Sequence, residues 1–124
     1  EPPLIFGDGL QTMDLIHVTD VARANMLAAI SAAGDAVFNV GSGTETSLLD
    51  LAYTFARAMG RPALKPLHQE ARAINPVPRR LASVEAARDR LGFEAKVAPD
   101  EGIADLVGWW RGEMRANAVR EMAS

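Results

Sequence analysis

The chain opens with short apolar runs that have the length of β-strands. Leu4-Ile5-Phe6 is the first, and the turn signal Gly7-Asp8-Gly9 separates it from a second run. An Asp-Gly pair between two apolar runs is typical of a hairpin or of a tight turn, because glycine adopts positive φ without steric cost. With two later runs, the pattern predicts a small sheet formed by residues 4–6, 13–18, 36–40 and 64–67.

Longer segments carry apolar residues three and four positions apart, which is typical of helices. Ser47 and Asp50 have the spacing of a capping box in front of the second such segment, and Gly60 follows it. Thr19 or Asp20 is a suitable N-cap for the first. The predicted helices cover residues 20–33, 48–59 and 83–91 and a last segment that begins at Pro99.

The order of these elements, strand–helix–strand–helix, favours an α/β (or α+β) fold over a helical bundle. In this fold a small sheet is packed by about four helices. A chain of 124 residues can bury roughly two-thirds of its unfolded surface. We therefore expect a single domain over residues 1–116, followed by a frayed tail over residues 117–124.

The composition excludes several classes of protein. A net charge of −3 argues against a nucleic-acid platform, which normally has a clustered basic excess. The absence of cysteine excludes a disulfide scaffold and any thiolate metal site. No apolar run approaches the ~20 residues that span a bilayer, so we expect no membrane association and a cytoplasmic location. The first residue is Glu1 and not methionine, so we expect a piece of something longer.

Two of the predicted helices have few polar residues. In helix 48–59 only Asp50, Thr54 and Arg57 are polar, and they form one narrow stripe. Helix 20–33 is similarly apolar. Helices of this kind are normally covered on more than one side, so we expect a homodimer that forms through one of these two helices. The last helix has a charged side and is less suited to this role.

The segment from Phe6 to Asp20 carries a recognisable motif. Residues 6–9 read Phe-Gly-Asp-Gly, and Asp14, His17-Val18 and Asp20 follow. This segment resembles a signature in the C-terminal half of the extended short-chain dehydrogenase/reductase family, the NAD-dependent epimerases and dehydratases of nucleotide sugars. Met13 stands where that family usually has arginine. Further segments resemble the same family in order and spacing, at residues 38–52, 79–93 and 99–110.

The resemblance implies the C-terminal, substrate-binding portion of such an enzyme. The family's chemistry, a transient hydride transfer to NAD, resides in an N-terminal half with a glycine-rich loop and a Tyr-x-x-x-Lys pair. Gly41-x-Gly43 lacks the third glycine of such a loop. Tyr53 and Arg57 imitate the spacing of the pair, but arginine cannot exchange a proton near neutral pH. We therefore assign no catalytic and no cofactor-binding residues, and NAD is implied for the parent enzyme alone.

The resemblance also implies two groups of substrate contacts, a strand near the base and ribose and arginines at the diphosphate. A guanidinium suits the second role because its planar donors grip phosphate oxygens in pairs. A core strand and solvated loop arginines are the alternatives. The candidate substrate-binding residues are Leu4, Ile5, Phe6, Arg72, Arg79 and Arg80. Because Met13 replaces a charged contact, we expect a loss of about 1.5–3 kcal/mol in diphosphate affinity.

The two histidines do not indicate a metal site. His17 ends a predicted strand beside a helix cap, which favours a structural hydrogen bond to loop backbone. His68 lies in a loop, and no spaced set of carboxylates accompanies it. We therefore assign no metal ligands.

The sequence thus predicts the nucleotide-sugar-binding part of an epimerase or dehydratase, inactive alone because it lacks the NAD site and the catalytic pair. Its expected partners are a UDP- or dTDP-sugar, bound weakly, and the missing dinucleotide-binding half. Two alternatives remain, a stand-alone interaction module derived from such an enzyme and a stable fragment without function. The parent's sugar, base and reaction stay open.

Overall fold

A computed structural model of the chain describes residues 1–71 and 77–122. These residues form short strands, four helices and two small sheets, which confirms the predicted α/β class. The strands are β1 (Leu4–Phe6), β2 (Thr12–Asp14), β3 (Glu45–Ser47), β4 (Leu67–Gln69) and β5 (Arg79–Arg80). The helices are α1 (Val18–Ile30), α2 (Leu48–Ala58), α3 (Glu85–Leu91) and α4 (Pro99–Met122).

The strands form two sheets, whereas the sequence predicted one. Strand β1 pairs with β4 in parallel. In the other sheet β2 lies between β3 and β5, antiparallel to the first and parallel to the second. Of the two predicted alternatives, a hairpin and a tight turn, the hairpin is therefore wrong. Gly7 and Gly9 do turn the chain, with φ of 84° and 76°, but they carry it from one sheet to the other.

The predicted strand at residues 36–40 is also wrong. Within the described part of the chain, this segment forms no strand, and no backbone hydrogen bond involves it. Phe38 and Val40 pack against the core cluster, whereas Val37 is 95% exposed. An apolar run indicates that a segment is buried. A β-strand also needs a neighbouring strand to which its backbone can hydrogen-bond, and an apolar run does not show whether that strand is present. The predicted strand 64–67 is shifted, since β4 begins at Leu67.

The helices bury two groups of apolar side chains. Ala24 of α1 packs with residues of α3 and with the phenylalanine that follows it, namely Ala87, Leu91 and Phe93. Helix α2 packs against α4, and the buried side chains there are Ala52, Ala56, Ile103 and Val107. Both groups rely on alanine for close approach of the helices. Other large apolar residues of α4 are not buried: Leu106, Trp110 and Met114 are each about half exposed.

Several helix ends follow the sequence signals. Ser47 is the N-cap of α2, and its hydroxyl oxygen accepts a hydrogen bond from the Asp50 backbone N–H at 3.0 Å, as predicted. Helix α1 instead begins at Val18 with His17 at the N-cap, so neither Thr19 nor Asp20 caps it. Helix α4 starts at Pro99 as predicted, and it continues to Met122, beyond the expected start of the tail.

Among residues 1–71 and 77–122, no helix is both long and apolar enough to span a membrane.

Candidate functional site

The three-stranded sheet brings Met13, Thr46 and Arg80 side by side. Met13 lies opposite Thr46 on β3 and opposite Arg80 on β5. Residues at paired positions of neighbouring strands share one face of a sheet. We call this the Arg80 face. It joins a methionine, a hydroxyl group and a guanidinium from three distant parts of the chain.

On the same strands, hydrogen bonds join Thr12 and Arg79 to the carboxylate of Glu45. The Arg79 guanidinium donates to both carboxylate oxygens of Glu45, at 2.7 and 2.9 Å. The Thr12 hydroxyl donates to the same carboxylate at 2.6 Å. Hydrogen bonds from Arg79 and then Thr12 lower the pKa of Glu45, and the bond to Glu45 raises the pKa of Arg79. Arg79 is therefore committed to an internal ion pair.

The two candidate arginines of β5 thus have different environments. Arg79 is paired with Glu45. Arg80 is exposed, and within residues 1–71 and 77–122 it forms no ion pair. Arg72 lies outside the described residues. An exposed guanidinium without a carboxylate partner keeps its donors available for an anion such as a phosphate.

The candidate strand Leu4–Phe6 belongs to the other sheet. Ile5 is 5% exposed and is a core residue, whereas Leu4 is 47% exposed. The strand lines one side of a shallow groove of about 370 Å³, and α2 forms the opposite side. Core packing accounts for Ile5, whereas Leu4 is exposed, Phe6 is half-buried, and both line the groove.

The loop Gly41-Ser42-Gly43 binds a carboxylate of the protein itself. Asp14 accepts hydrogen bonds from the backbone N–H groups of Ser42 and Gly43, at 2.7 and 3.0 Å, and from the Ser42 hydroxyl at 2.6 Å. The backbone N–H of Ala82 is a further donor, at 3.3 Å. Asp14 therefore joins β2 to this loop and to the segment that follows β5. The sequence did not reveal these partners.

Asp20 is the residue whose role the sequence missed most clearly. Its side chain is 2% exposed and accepts hydrogen bonds from Arg23 at 2.7 Å and from the backbone N–H groups of Lys96 and Val97 at 2.9 Å each. Burial alone would raise the pKa of Asp20, but the hydrogen bonds from Val97, Arg23 and Lys96 outweigh it and lower the pKa. Asp20 fastens α1 to the segment before α4.

The histidines and the tyrosine have structural environments. His17 Nδ1 lies 2.7 Å from the Thr19 hydroxyl oxygen, so its partner is a side chain and not the predicted backbone. His68 Nδ1 lies 2.8 Å from the Gly7 carbonyl oxygen. Tyr53 is half-buried on α2. In the part of the chain that the structure describes, no group of three His, Asp or Glu side chains could hold a metal ion.

A larger apolar groove of about 680 Å³ lies between the start of α1, helix α2 and helix α4. Most of its lining is aliphatic or aromatic, including Phe55, Ile103, Leu106 and Trp109. His17 and Asp105 are the polar side chains at its edge. This groove shares Leu51 and Phe55 with the smaller one.

Comparisons with known proteins agree on one family. The model of the NAD dependent epimerase/dehydratase family matches residues 1–41. The UDP-glucose 4-epimerase of Mycolicibacterium smegmatis is 38% identical over 86% of this chain and 34% of its own length. The chain thus spans about a third of the length of the curated relatives it matches.

Solved structures give the same result for the fold. The UDP-glucose 4-epimerase of Thermotoga maritima, crystallised with UDP-glucose, superposes with a TM-score of 0.83 and 32% identity. The match covers 92% of this chain and 36% of that one. MoeE5, in complex with UDP-glucuronic acid and NAD, has a TM-score of 0.74 and 36% identity over 91% of this chain and 38% of its own.

Proposed function

We propose that this chain belongs to the NAD-dependent epimerase/dehydratase family and forms the part that holds a nucleotide sugar by its diphosphate. The observation that carries the proposal is the Arg80 face. Arg80 has no ion pair within the described residues, whereas its neighbour Arg79 is held by Glu45. A phosphate group on the Arg80 face can therefore bind the Arg80 guanidinium, whose donors are available as far as the described residues go. Solved structures of similar proteins with UDP-glucose and with UDP-glucuronic acid support this choice of ligand.

Within this proposal, Arg79 and Arg80 have different roles. Arg80 binds the anion directly, because its side chain is exposed on the face that Met13 and Thr46 share. Arg79 acts through the sheet, since its bidentate bond to Glu45 joins β5 to β3. One guanidinium is a weak site for a diphosphate. We therefore expect low affinity that decreases with added salt, as for any exposed ion pair.

The NAD chemistry of the family is proposed to come from a separate dinucleotide-binding part, because the described residues do not fit the cofactor. The N–H groups of Ser42 and Gly43, which a glycine loop would offer to a pyrophosphate, donate to Asp14 instead. An added Cβ at Gly41 would lie 2.6 Å from Asp14 Oδ2, so no space remains there.

The segment 36–40 supports the existence of a separate dinucleotide-binding part. It is apolar, and no strand of the described chain pairs with it.

Calorimetry with NAD tests whether NAD binding depends on a separate dinucleotide-binding part. Because the glycine loop is occupied by Asp14, we expect no saturable heat from the chain alone with NAD up to millimolar concentrations. A micromolar dissociation constant, worth about −8 kcal/mol, would contradict the proposal.

Replacing Met13 by arginine is expected to increase UDP affinity about tenfold, equivalent to ~1.4 kcal/mol. The new guanidinium would stand beside Arg80 on the same face, so that two cations share the diphosphate. Arg80→Ala should abolish the gain. Titration calorimetry at low salt measures both effects, and chemical-shift changes should gather near β2 and β5.

Arg79→Ala is the matched control for Arg80→Ala. It also removes a guanidinium from β5, but one that is engaged with Glu45, so the loss of UDP affinity should be smaller. A Met13→Arg variant that binds UDP no better than the parent chain would contradict the diphosphate assignment. Equal losses in the two alanine variants would contradict the special role of Arg80.

The second candidate function is an interaction module that no longer binds sugars. The observation that favours it is Met13, an apolar residue in the middle of the Arg80 face. Under this alternative, UDP binding is absent in both the parent chain and the Met13→Arg variant. The same titrations therefore separate the two functions.

A further inference from the structure

The segment that carries Arg80 lies on the surface of the protein. Every residue from Val77 to Leu81 is exposed, and β5 is at the edge of its sheet with β2 as its neighbour. Val77 and Leu81, the large apolar residues on either side of the arginines, are 41% and 40% exposed. Burial of apolar surface therefore contributes little to holding β5 in place. The position of Arg80 depends on polar contacts of the backbone.

A hydrogen bond fixes the backbone on each side of β5. Before the strand, the Pro78 carbonyl oxygen accepts a bond from the backbone N–H of Thr12 at 2.9 Å. After the strand, the backbone N–H of Ala82 donates to the Asp14 carboxylate at 3.3 Å. Thr12 and Asp14 are the first and last residues of β2. The central strand of the sheet thus holds the arginine segment at both ends.

The loop that follows residue 40 keeps the Asp14 carboxylate in one orientation. The backbone N–H and the hydroxyl of Ser42 donate to Oδ1 of Asp14, at 2.7 and 2.6 Å. The backbone N–H of Gly43 donates to Oδ2 at 3.0 Å. Hydrogen bonds to an ionised acceptor are about twice as strong as bonds between neutral groups. The loop therefore fixes the carboxylate so that Oδ2 remains directed at the N–H of Ala82.

Arg79 and Arg80 differ in what fixes their side chains. The ion pair with Glu45 fixes the guanidinium of Arg79. Arg80 forms no ion pair within residues 1–71 and 77–122, so the region that its guanidinium can reach is set by its backbone. A backbone that is ordered before an anion arrives loses less entropy when the anion binds.

We propose that Asp14 is a positioning residue for Arg80. Its carboxylate holds the backbone at Ala82, two residues after Arg80, and so presents the guanidinium to the phosphate. Asp14 acts through the backbone, because a carboxylate repels a phosphate group. The inference rests on the proposed function, since the ligand is the same diphosphate. It adds to that function a residue that does not contact the ligand.

The variant Asp14→Asn tests the positioning without any ligand. Asparagine retains one oxygen, which can accept the bonds from Ser42, but its NH2 group is a donor and leaves the N–H of Ala82 without an acceptor. We expect the NMR order parameter of the Arg80 backbone N–H to fall from about 0.85 to below about 0.6. An Arg80 amide that is as rigid in Asp14→Asn as in the unmodified chain would overturn the inference.

Asp20→Asn is the matched control. Asp20 also accepts hydrogen bonds from two backbone N–H groups, but it lies on α1 and does not contact β5. Its replacement lowers stability and should leave the order parameter of Arg80 unchanged. Circular dichroism verifies that the variants are folded. If Asp14→Asn does not fold, Ser42→Ala, which removes one donor to Asp14, decides by the same criterion with a smaller expected fall.

Titration with UDP, followed by NMR at low salt, tests whether Asp14 acts through Arg80. We expect Asp14→Asn to lower the UDP affinity about fivefold in the unmodified chain but less than about twofold in the Arg80→Ala chain, because coupled residues are not additive. Equal losses in the two chains would overturn the inference, since Asp14 would then act without Arg80. If the unmodified chain binds no UDP, the proposed function fails, and the order parameter of Arg80 alone decides whether Asp14 positions it.

Discussion

Replacing Asp20 by alanine is expected to lower the free energy of unfolding by about 3–5 kcal/mol, the typical cost of removing one partner of a buried charge pair. The variant leaves the Arg23 guanidinium and the N–H groups of Lys96 and Val97 without their acceptor. Arg23 keeps its hydrogen bond to the Glu94 carbonyl and its position 5.0 Å from the Phe93 ring centre, so the region should loosen without unfolding completely. Chemical denaturation measures the loss.

Two further variants calibrate this prediction. Asp20→Asn retains one acceptor oxygen and should cost less than alanine. Asp89→Ala removes a 69% exposed carboxylate whose contact with Arg88 is 3.5 Å long, and it should change stability by no more than about 0.5 kcal/mol. If Asp20→Ala and Asp89→Ala unfold at the same denaturant concentration, the Asp20 hydrogen bonds do not stabilise the fold.

Asp20 should also make stability depend on pH. Its pKa is lower in the folded chain than in the unfolded chain, because the native hydrogen bonds favour the carboxylate. Its contribution is therefore complete above the unfolded pKa and is lost as the pH falls through the folded one. Denaturation curves should show stability decreasing on acidification in that range. In Asp20→Asn this decrease should be smaller, since the titrating group is absent.

Replacing Gly41 by alanine is expected to cost about 1–3 kcal/mol, the usual range for overpacking. The new Cβ would lie 2.6 Å from Asp14 Oδ2 and 2.7 Å from the Ala82 Cβ. The carboxylate cannot withdraw easily, because it accepts hydrogen bonds from Ser42, Gly43 and Ala82. The variant must therefore separate the loop from β2 or push away the segment after β5.

Gly34→Ala is the matched control. No atom lies within 4 Å of an added Cβ at Gly34, so this substitution should have little effect. Thermal unfolding of the two variants side by side makes the comparison. Equal melting temperatures would show that the Asp14 contact tolerates an extra methyl group.

The sequence predicted elements well where the signal is local. Strand Leu4–Phe6, the Ser47 cap and the start of α4 at Pro99 were all located correctly, because each depends on neighbouring residues. The sequence did not predict how the strands pair into sheets. Strand β3 has the polar sequence Glu-Thr-Ser and β5 consists of two arginines, so neither has an apolar pattern. Their pairing depends on contacts with β2, and local propensity does not encode such contacts.

In the candidate site, too, the sequence predicted local features and missed contacts between distant residues. The arginines of β5 were identified from a family motif, but the motif could not separate Arg79 from Arg80. The difference comes from Glu45, which precedes Arg79 by more than thirty residues. The two side chains meet because their strands, β3 and β5, both pair with β2. Likewise, the sequence offered Asp20 as a helix cap, because its partners Lys96 and Val97 lie close to it only after folding.

The pairing of β1 with β4 and of β2 with β5 has a consequence for how the chain folds. Leu4 meets Leu67 and Met13 meets Arg80, so each parallel pair closes a loop of more than sixty residues. The entropy of closing such a loop is lost before a two- or three-residue ladder can compensate for it. The helices should therefore form early and the sheets last. In stopped-flow refolding, the helical signal should precede the protection of the β1 and β2 amides against exchange.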